Sequence, residues 1–218
     1  MECNQCEGIE LETKQWVAYS LKKFRKNRLN KATRSFINAL LTLGVEGRTL
    51  LDIGGGIGVI QYEFLAAGAS RAVSVEASSA YLMAATEEAA RLGWKDRITY
   101  HHGDFVTLAP QIMPADIVTL DHVICCYHDA KSLVALSSAC ARIYYGVVYP
   151  TDTWWSKFWI QIENLVARLR GSPFRAFIHS SELVDSLVRS QGLRQISSQT
   201  MFELPYVWQV VIYERGAA

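Results

Sequence analysis

Apolar residues recur along this chain first at helical spacing, then in an alternation of short continuous runs with longer periodic stretches. From Lys14 to Leu43 the pattern predicts helix, with Trp16, Val17, Tyr19, Leu21 and Phe24 on a partly apolar face and Phe36, Ile37, Leu40 and Leu41 on a clean one. Residues Thr49 to Ile53 read as a buried strand that breaks into glycines. The helical period then resumes through Ile60, Phe64 and Leu65 and ends at Gly68. Strand Ala72–Val75, helix Ser79–Leu92, strand Ile98–His101, strand Asp116–Leu120, helix Ala130–Ala141 and strand Arg142–Tyr149 follow. Strands alternating with helices predict a doubly wound α/β fold, a mostly parallel sheet with helices on both faces. Ligands of such sheets sit beyond the carboxyl ends of the strands.

Pro150 interrupts the alternation. Within 151–178, Trp154, Trp155, Phe158, Trp159, Ile162, Leu165, Val166 and Leu169 recur at helical spacing, and the run stops at Arg170-Gly171-Ser172-Pro173. This inserted aromatic helix either packs on the sheet as core or forms a wall of the ligand site, since it starts at the carboxyl end of the fifth strand. A helix over Ser180–Ser190 and two strands, Leu193–Phe202 and Tyr206–Tyr213, bring the strand count to seven. The length fits one domain, 1–218, with an N-terminal helical cap (1–44) and a helical insertion (151–178).

The chemistry concentrates in Asp52-Ile53-Gly54-Gly55-Gly56-Ile57-Gly58. A strand, a glycine turn and a helix bring backbone N–H groups and a positive helix end to a ligand. The dinucleotide fingerprint G-x-G-x-x-G fits in neither register, because Val59 or Gln61 falls where the third glycine belongs. The spacing that fits is D-x-G-x-G-x-G, with Glu76 ending the next strand. An acid before the glycines suits a cationic, amino-acid-bearing cofactor better than a pyrophosphate. Asp52, Glu76, Asp104 and Asp121 fall alike at the ends of four successive strands.

These two motifs resemble the class I S-adenosylmethionine-dependent methyltransferases, over roughly 45–215, with the specific residues within 50–130. The resemblance implies a Rossmann-like methyltransferase fold closed by an antiparallel hairpin, and S-adenosyl-L-methionine as cofactor. It implies that Asp52 orders the glycine turn and reaches the cofactor's amino-acid part, while Gly54, Gly55, Gly56 and Gly58 admit the main chain. Glu76 would accept the ribose hydroxyls, Ala77 and Ser78 would line the adenine, Asp104 would accept its amino group, and Phe105 would support the ring. Asp104 has a plain structural use as well, as a cap for the segment after it. The fourth strand's end carries the reaction face in this family. Here it reads Asp121-His122-Val123-Ile124, without the Asn/Asp-Pro-Pro-aromatic run of base amino methylation, and Cys125 and Cys126 lack the proline of cytosine C5 enzymes. The run Leu120–Asp129, with the later basic, aromatic segment, resembles magnesium-protoporphyrin methyltransferases. His122 and His128 titrate in the range useful to a base, and Asp121 is placed to orient either one or to touch the cofactor. Each histidine is equally readable as a structural one.

Charge and composition narrow the acceptor. The formal net charge is +1, so no global field argues for nucleic acid or an anionic membrane. Seven basic residues nevertheless crowd into Lys22–Arg34, readable as a solvated helix face or as an anion-binding cap. With the aromatic insertion they suggest O-methylation of a small or medium-sized aromatic, anionic acceptor, with Tyr19, Lys22, Arg25, Tyr127, Trp155 and Trp159 as its candidate contacts. RNA is the rival acceptor, and a non-catalytic cofactor-binding module the rival from another class. Five cysteines, an odd number, without a secretory signal pattern point to reduced thiols and a cytoplasmic setting. Residues 1–13 are acidic and read as loose; Cys3-x-x-Cys6 within them has no second pair, and His122, Cys125, Cys126 and His128 are too crowded for a tetrahedral site, so no metal is expected.

Overall fold

The computed structural model describes residues 8–10 and 13–216. Helices α1 (Val17–Arg25) and α2 (Lys31–Thr42) precede β1 (Thr49–Ile53), α3 (Val59–Ala66), β2 (Arg71–Glu76), α4 (Ser79–Leu92) and β3 (Ile98–His102). A single turn, α5 (Phe105–Leu108), leads to β4 (Ala115–Asp121), α6 (Ala130–Ala139) and β5 (Ala141–Pro150). The chain closes with α7 (Trp154–Leu169), α8 (Ser181–Ser190), β6 (Leu193–Glu203) and β7 (Tyr206–Arg215). The seven strands form one sheet in the order β3-β2-β1-β4-β5-β7-β6. All neighbours from β3 to β5 are parallel, and β7 runs antiparallel to both β5 and β6.

Alternation along the strands builds two cores. Leu51, Val118, Leu120, Tyr145 and Val147 point to one face, beneath α6 and α8. Leu50, Ile117, Tyr144, Val148 and Ile212 point to the other, beneath α2 and α3. Phe36 of α2 lies so close to β5 that a Cβ on Gly146 would stand 2.5 Å from its ring. Only glycine admits that approach. The chain runs outward from β1 to β3 and then returns to β4, so a crevice opens between the carboxyl ends of β1 and β4.

Three expectations need correcting. The basic stretch does not continue as one helix: Asn27 turns left-handed (φ 53°) and the Asn30 side chain caps α2 by accepting the Thr33 N–H. Asparagine suits both tasks better than continuing a helix. The segment before Lys14, expected to be loose, is helical at Gly8–Glu10. The Glu10 carboxylate there accepts the Ser79 N–H and hydroxyl at the positive start of α4; Cys3 and Cys6 lie outside the described residues. Finally, α7 neither fills the core with its aromatics nor walls the crevice. Its buried residues are Ser156 and Ile160, and Trp154, Phe158, Leu165 and Leu169 face solvent.

Candidate active site

A cavity of about 540 Å³ occupies the crevice, lined by the glycine turn, by the ends of β1, β2 and β4, and by the N-terminal helices. Asp52 ends up beneath the turn, fully buried, accepting Thr119 Oγ1 at 2.7 Å and Gln61 Nε2 at 3.0 Å. Burial pushes its carboxyl up to about 7; the Thr119 and Gln61 bonds oppose that, while the Asp121 and Glu76 charges add to it. Gly55 packs directly over this network, leaving no room for a side chain beside Asp52 and Gln61. Gly54 is left-handed (φ 65°), and a Cβ there would strike Val123 at 2.5 Å. Gly56 is also left-handed (φ 54°), yet a Cβ on it would meet nothing within 4 Å. Its missing side chain is therefore part of the cavity's open space.

Glu76 is buried and forms the opposite wall. One carboxylate oxygen accepts the Gly56 N–H at 2.8 Å and the other accepts the Ser78 N–H at 2.8 Å, with the Ala77 N–H also bonding the carboxylate. Burial raises its pKa against the pull of these bonds. Ala77 and Phe105 complete this side. Asp104 caps α5 through the Val106 N–H and Thr107 hydroxyl, and both its oxygens also accept the Tyr127 hydroxyl, at 2.9 and 3.0 Å. The capping use of Asp104 and its place in the cavity wall are therefore both real.

At the end of β4, His122 adopts a left-handed backbone (φ 62°) and its Nδ1 stands 2.6 Å from Asp121 Oδ1. The second oxygen of Asp121 accepts Thr33 Oγ1 at 2.6 Å. Burial works to lower the His122 pKa, but the charge and hydrogen bond of Asp121, with smaller help from Cys126 and Glu203, leave it raised. The imidazole leans on Trp208, ring centres 4.0 Å apart. It separates the main cavity from a smaller one of about 240 Å³ lined by Asn30, Glu203, Leu204, Pro205, Tyr206 and Trp208. Cys126 lines the main cavity with its thiol pulled down by the hydrogen bond from Cys125; the buried Cys125 thiol is pushed up.

Of the residues singled out in the sequence, the cavity thus gathers Asp52, Gly54, Gly55, Gly56, Glu76, Ala77, Asp104, Phe105, Asp121, His122 and Tyr127. The others stand elsewhere. Gly58 starts α3 in a left-handed conformation, and Ser78 is buried as the cap of α4, bonded to Thr13. His128 is exposed and stacks on Tyr127 outside the cavity. Tyr127 itself belongs to the Asp104 side, away from His122. Tyr19 and Lys22 are exposed, and Arg25 is bound by Glu88 of α4. Trp155 donates to the Pro205 carbonyl, and Trp159 packs edge-on against Trp155 and Phe158, so neither lines the cavity. The basic stretch contributes Lys23 instead. Sequence reasoning also missed Gln61, Thr119, Thr33 and Trp208. A glutamine among Ile60, Phe64 and Leu65 was the one visible signal, since buried polar groups occur where a partner waits.

Among the described residues no group of three or more His, Cys, Asp or Glu is placed to hold a metal ion, and no helix is long and apolar enough to cross a membrane. No family model and no curated protein matches the sequence. Solved structures do match. The magnesium protoporphyrin IX methyltransferase of Synechocystis, with S-adenosylhomocysteine bound, superposes with a TM-score of 0.70 at 15% identity over 92% of this chain and 96% of that one. An O-methyltransferase family protein from Burkholderia thailandensis superposes at 0.63 and 13% identity over 94% of this chain and 63% of its own. An O-methyltransferase family 2 protein from Planctomyces limnophilus, in complex with apigenin, does so at 0.63 and 20% identity over 94% and 61%. With its strand order, its antiparallel closing hairpin and its glycine turn at the switch point, the chain has the fold of the class I S-adenosylmethionine-dependent methyltransferases.

Proposed function

We propose that this chain transfers a methyl group from S-adenosylmethionine to an oxygen of a small aromatic acceptor. The observation that carries the reading is one cavity holding four carboxylates, an open glycine cradle and a carboxylate-bound histidine. Among the described residues Lys23 is the one lysine or arginine in its wall. A pyrophosphate-bearing dinucleotide would face Asp52, Glu76, Asp104 and Asp121 with almost nothing to neutralise it, whereas a sulfonium cation and an α-amino group are attracted. The empty space over Gly56 and the Glu76 carboxylate beside it fit a ribose laid against the turn.

Bound S-adenosylmethionine supplies a methyl group on a sulfonium sulfur, open to in-line displacement. The chain's part is to align the acceptor and to take its proton. Asp121 accepts from His122 Nδ1, which fixes the tautomer and leaves Nε2 as the basic nitrogen. Thr33 holds the other oxygen of Asp121, so the carboxylate has little freedom to turn. Trp208 supports the imidazole and offers the acceptor a flat surface. Glu203 lines the smaller cavity on the far side of His122, where it favours a neutral hydroxyl over an anion. An anionic substituent would be met by Lys23, not by Lys22 or Arg25.

The test is methyl transfer from labelled S-adenosylmethionine to a panel of ring compounds bearing hydroxyl or carboxylate groups, with apigenin and magnesium protoporphyrin IX included on the strength of the structural neighbours. Oxygen-methylated product with at least one ring compound supports the reading. Transfer only to RNA, or S-adenosylhomocysteine at background levels with every acceptor, would favour an RNA enzyme or a binding module. The pairing of Arg25 with Glu88 and of Arg34 with Glu63 already withdraws two cations from an RNA surface.

A further inference from the structure

The aromatic helix α7 is turned the wrong way for a core element. Trp154, Phe158, Leu165 and Leu169 form one stripe at helical spacing, running about 22 Å along the axis. Trp154 is 76% and Leu169 78% exposed. Trp154, Trp155, Phe158 and Trp159 pack against one another with ring centres 5.5 to 6.3 Å apart, so the aromatic end of the stripe is already ordered. Arg168 is exposed along one flank and Arg170 beyond the helix end, while Lys157 on the same flank is paired with Asp152; Glu163 is the single acid within the helix. The stripe continues past the helix: the Trp155 indole N–H donates to Pro205, next to Leu204, which is 88% exposed at the rim of the smaller cavity.

We propose that this face docks on an anionic lipid surface, with α7 lying in the plane of the headgroups. A helix with Trp, Phe and Leu on one side and basic residues at its edges has the composition of an interfacial helix. Indole rings settle where an apolar body and a polar edge are both accommodated. Arg168 and Arg170 complement an anionic headgroup layer, while the acids beside this face are already engaged, Asp152 by Lys157 and Glu203 by the Lys31 and Ala32 N–H groups. Docked in this way, the chain presents the Leu204 rim and the smaller cavity beside His122 toward the lipid.

Sedimentation with vesicles tests it, using phosphatidylcholine alone and phosphatidylcholine with a quarter phosphatidylglycerol. The expected result is binding to the anionic vesicles with a blue shift of tryptophan emission. Trp154→Ser combined with Leu169→Ser should weaken binding about ten-fold or more. Arg168→Gln with Arg170→Gln should weaken it about 30-fold on anionic vesicles and leave the neutral ones unaffected. All four side chains are exposed, so far-ultraviolet circular dichroism and the melting temperature should not change. Absence of binding to both vesicles, or equal binding by the Ser variant, overturns the proposal. A dimer in sedimentation equilibrium that the Ser variant abolishes, without vesicle binding, would overturn it too and assign the face to a second copy of this chain.

Discussion

His122 Nδ1 and Asp121 Oδ1 stand 2.6 Å apart at the end of β4, and His122 reaches that distance in a left-handed backbone conformation that few non-glycine residues adopt. The backbone and the carboxylate together hold the ring in the walls of both cavities. Asparagine tolerates the same conformation, so His122→Asn is the variant that removes the base with least damage to the turn. It should lower kcat by about 10²–10⁴-fold while the affinity for S-adenosylhomocysteine changes little. An equal loss in both quantities would make His122 a structural residue.

The raised pKa of His122 gives a pH signature. A base must be neutral, so the rate should fall as pH drops through a value raised from that of an ordinary histidine. Removing the Asp121 charge leaves burial as the main influence, which lowers the pKa. The acid limb measured for Asp121→Asn should therefore move to lower pH, together with a lower plateau. A limb that does not move would separate the two residues.

Asp52 links the glycine turn to stability. Its folded pKa of about 7 lies above the ordinary carboxylate value, so between about pH 4 and 7 the folded state holds a proton that the unfolded chain has released. Stability of the ligand-free protein should accordingly fall as pH rises through that window, by about 4 kcal/mol at most. In Asp52→Asn this part of the slope should vanish, leaving what Glu76 and His122 contribute, which melting curves at pH 5 and pH 8 would show directly. An identical pH slope in variant and parent would contradict the raised value.

Arg25 is a clamp for the N-terminal helices. It forms a bidentate pair with Glu88, whose side chain is enclosed and whose carboxyl is held down at about 2 by bonds from Arg91 and Arg25. Arg25→Ala should free α1 from α4 without unfolding the sheet. Proteolysis at Lys26–Asn30 should accelerate several-fold while the sheet's amide protection stays unchanged. Uniform loss of protection would mean that the pair supports the whole fold.

The sheet was legible because its signals are local. Alternating apolar runs and glycine stops locate every strand within one or two residues, and helix Ser79–Leu92 shows the same ends in sequence and structure. The glycine-turn side of the cavity was legible for the same reason, since Asp52, the glycines, Glu76 and Asp104 each lie at a strand's end. The His122 side was not. Thr33, Lys23 and Trp208 come to His122 or the cavity from helices and strands far away in sequence, and only packing brings them there. The direction of α7 was equally invisible, because spacing shows that a helix has an apolar face and not whether that face is covered.

Calorimetric titration of the protein with S-adenosylmethionine, S-adenosylhomocysteine and NADH tests the central claim most directly. One site for both sulfur nucleosides is expected, and none for NADH. Glu76→Ala should lose about 1.5–3 kcal/mol of that affinity, and Gly56→Val, whose side chain would enter the open space over the turn, should lose all measurable binding. Tight NADH binding without heat from either sulfur nucleoside would contradict the account.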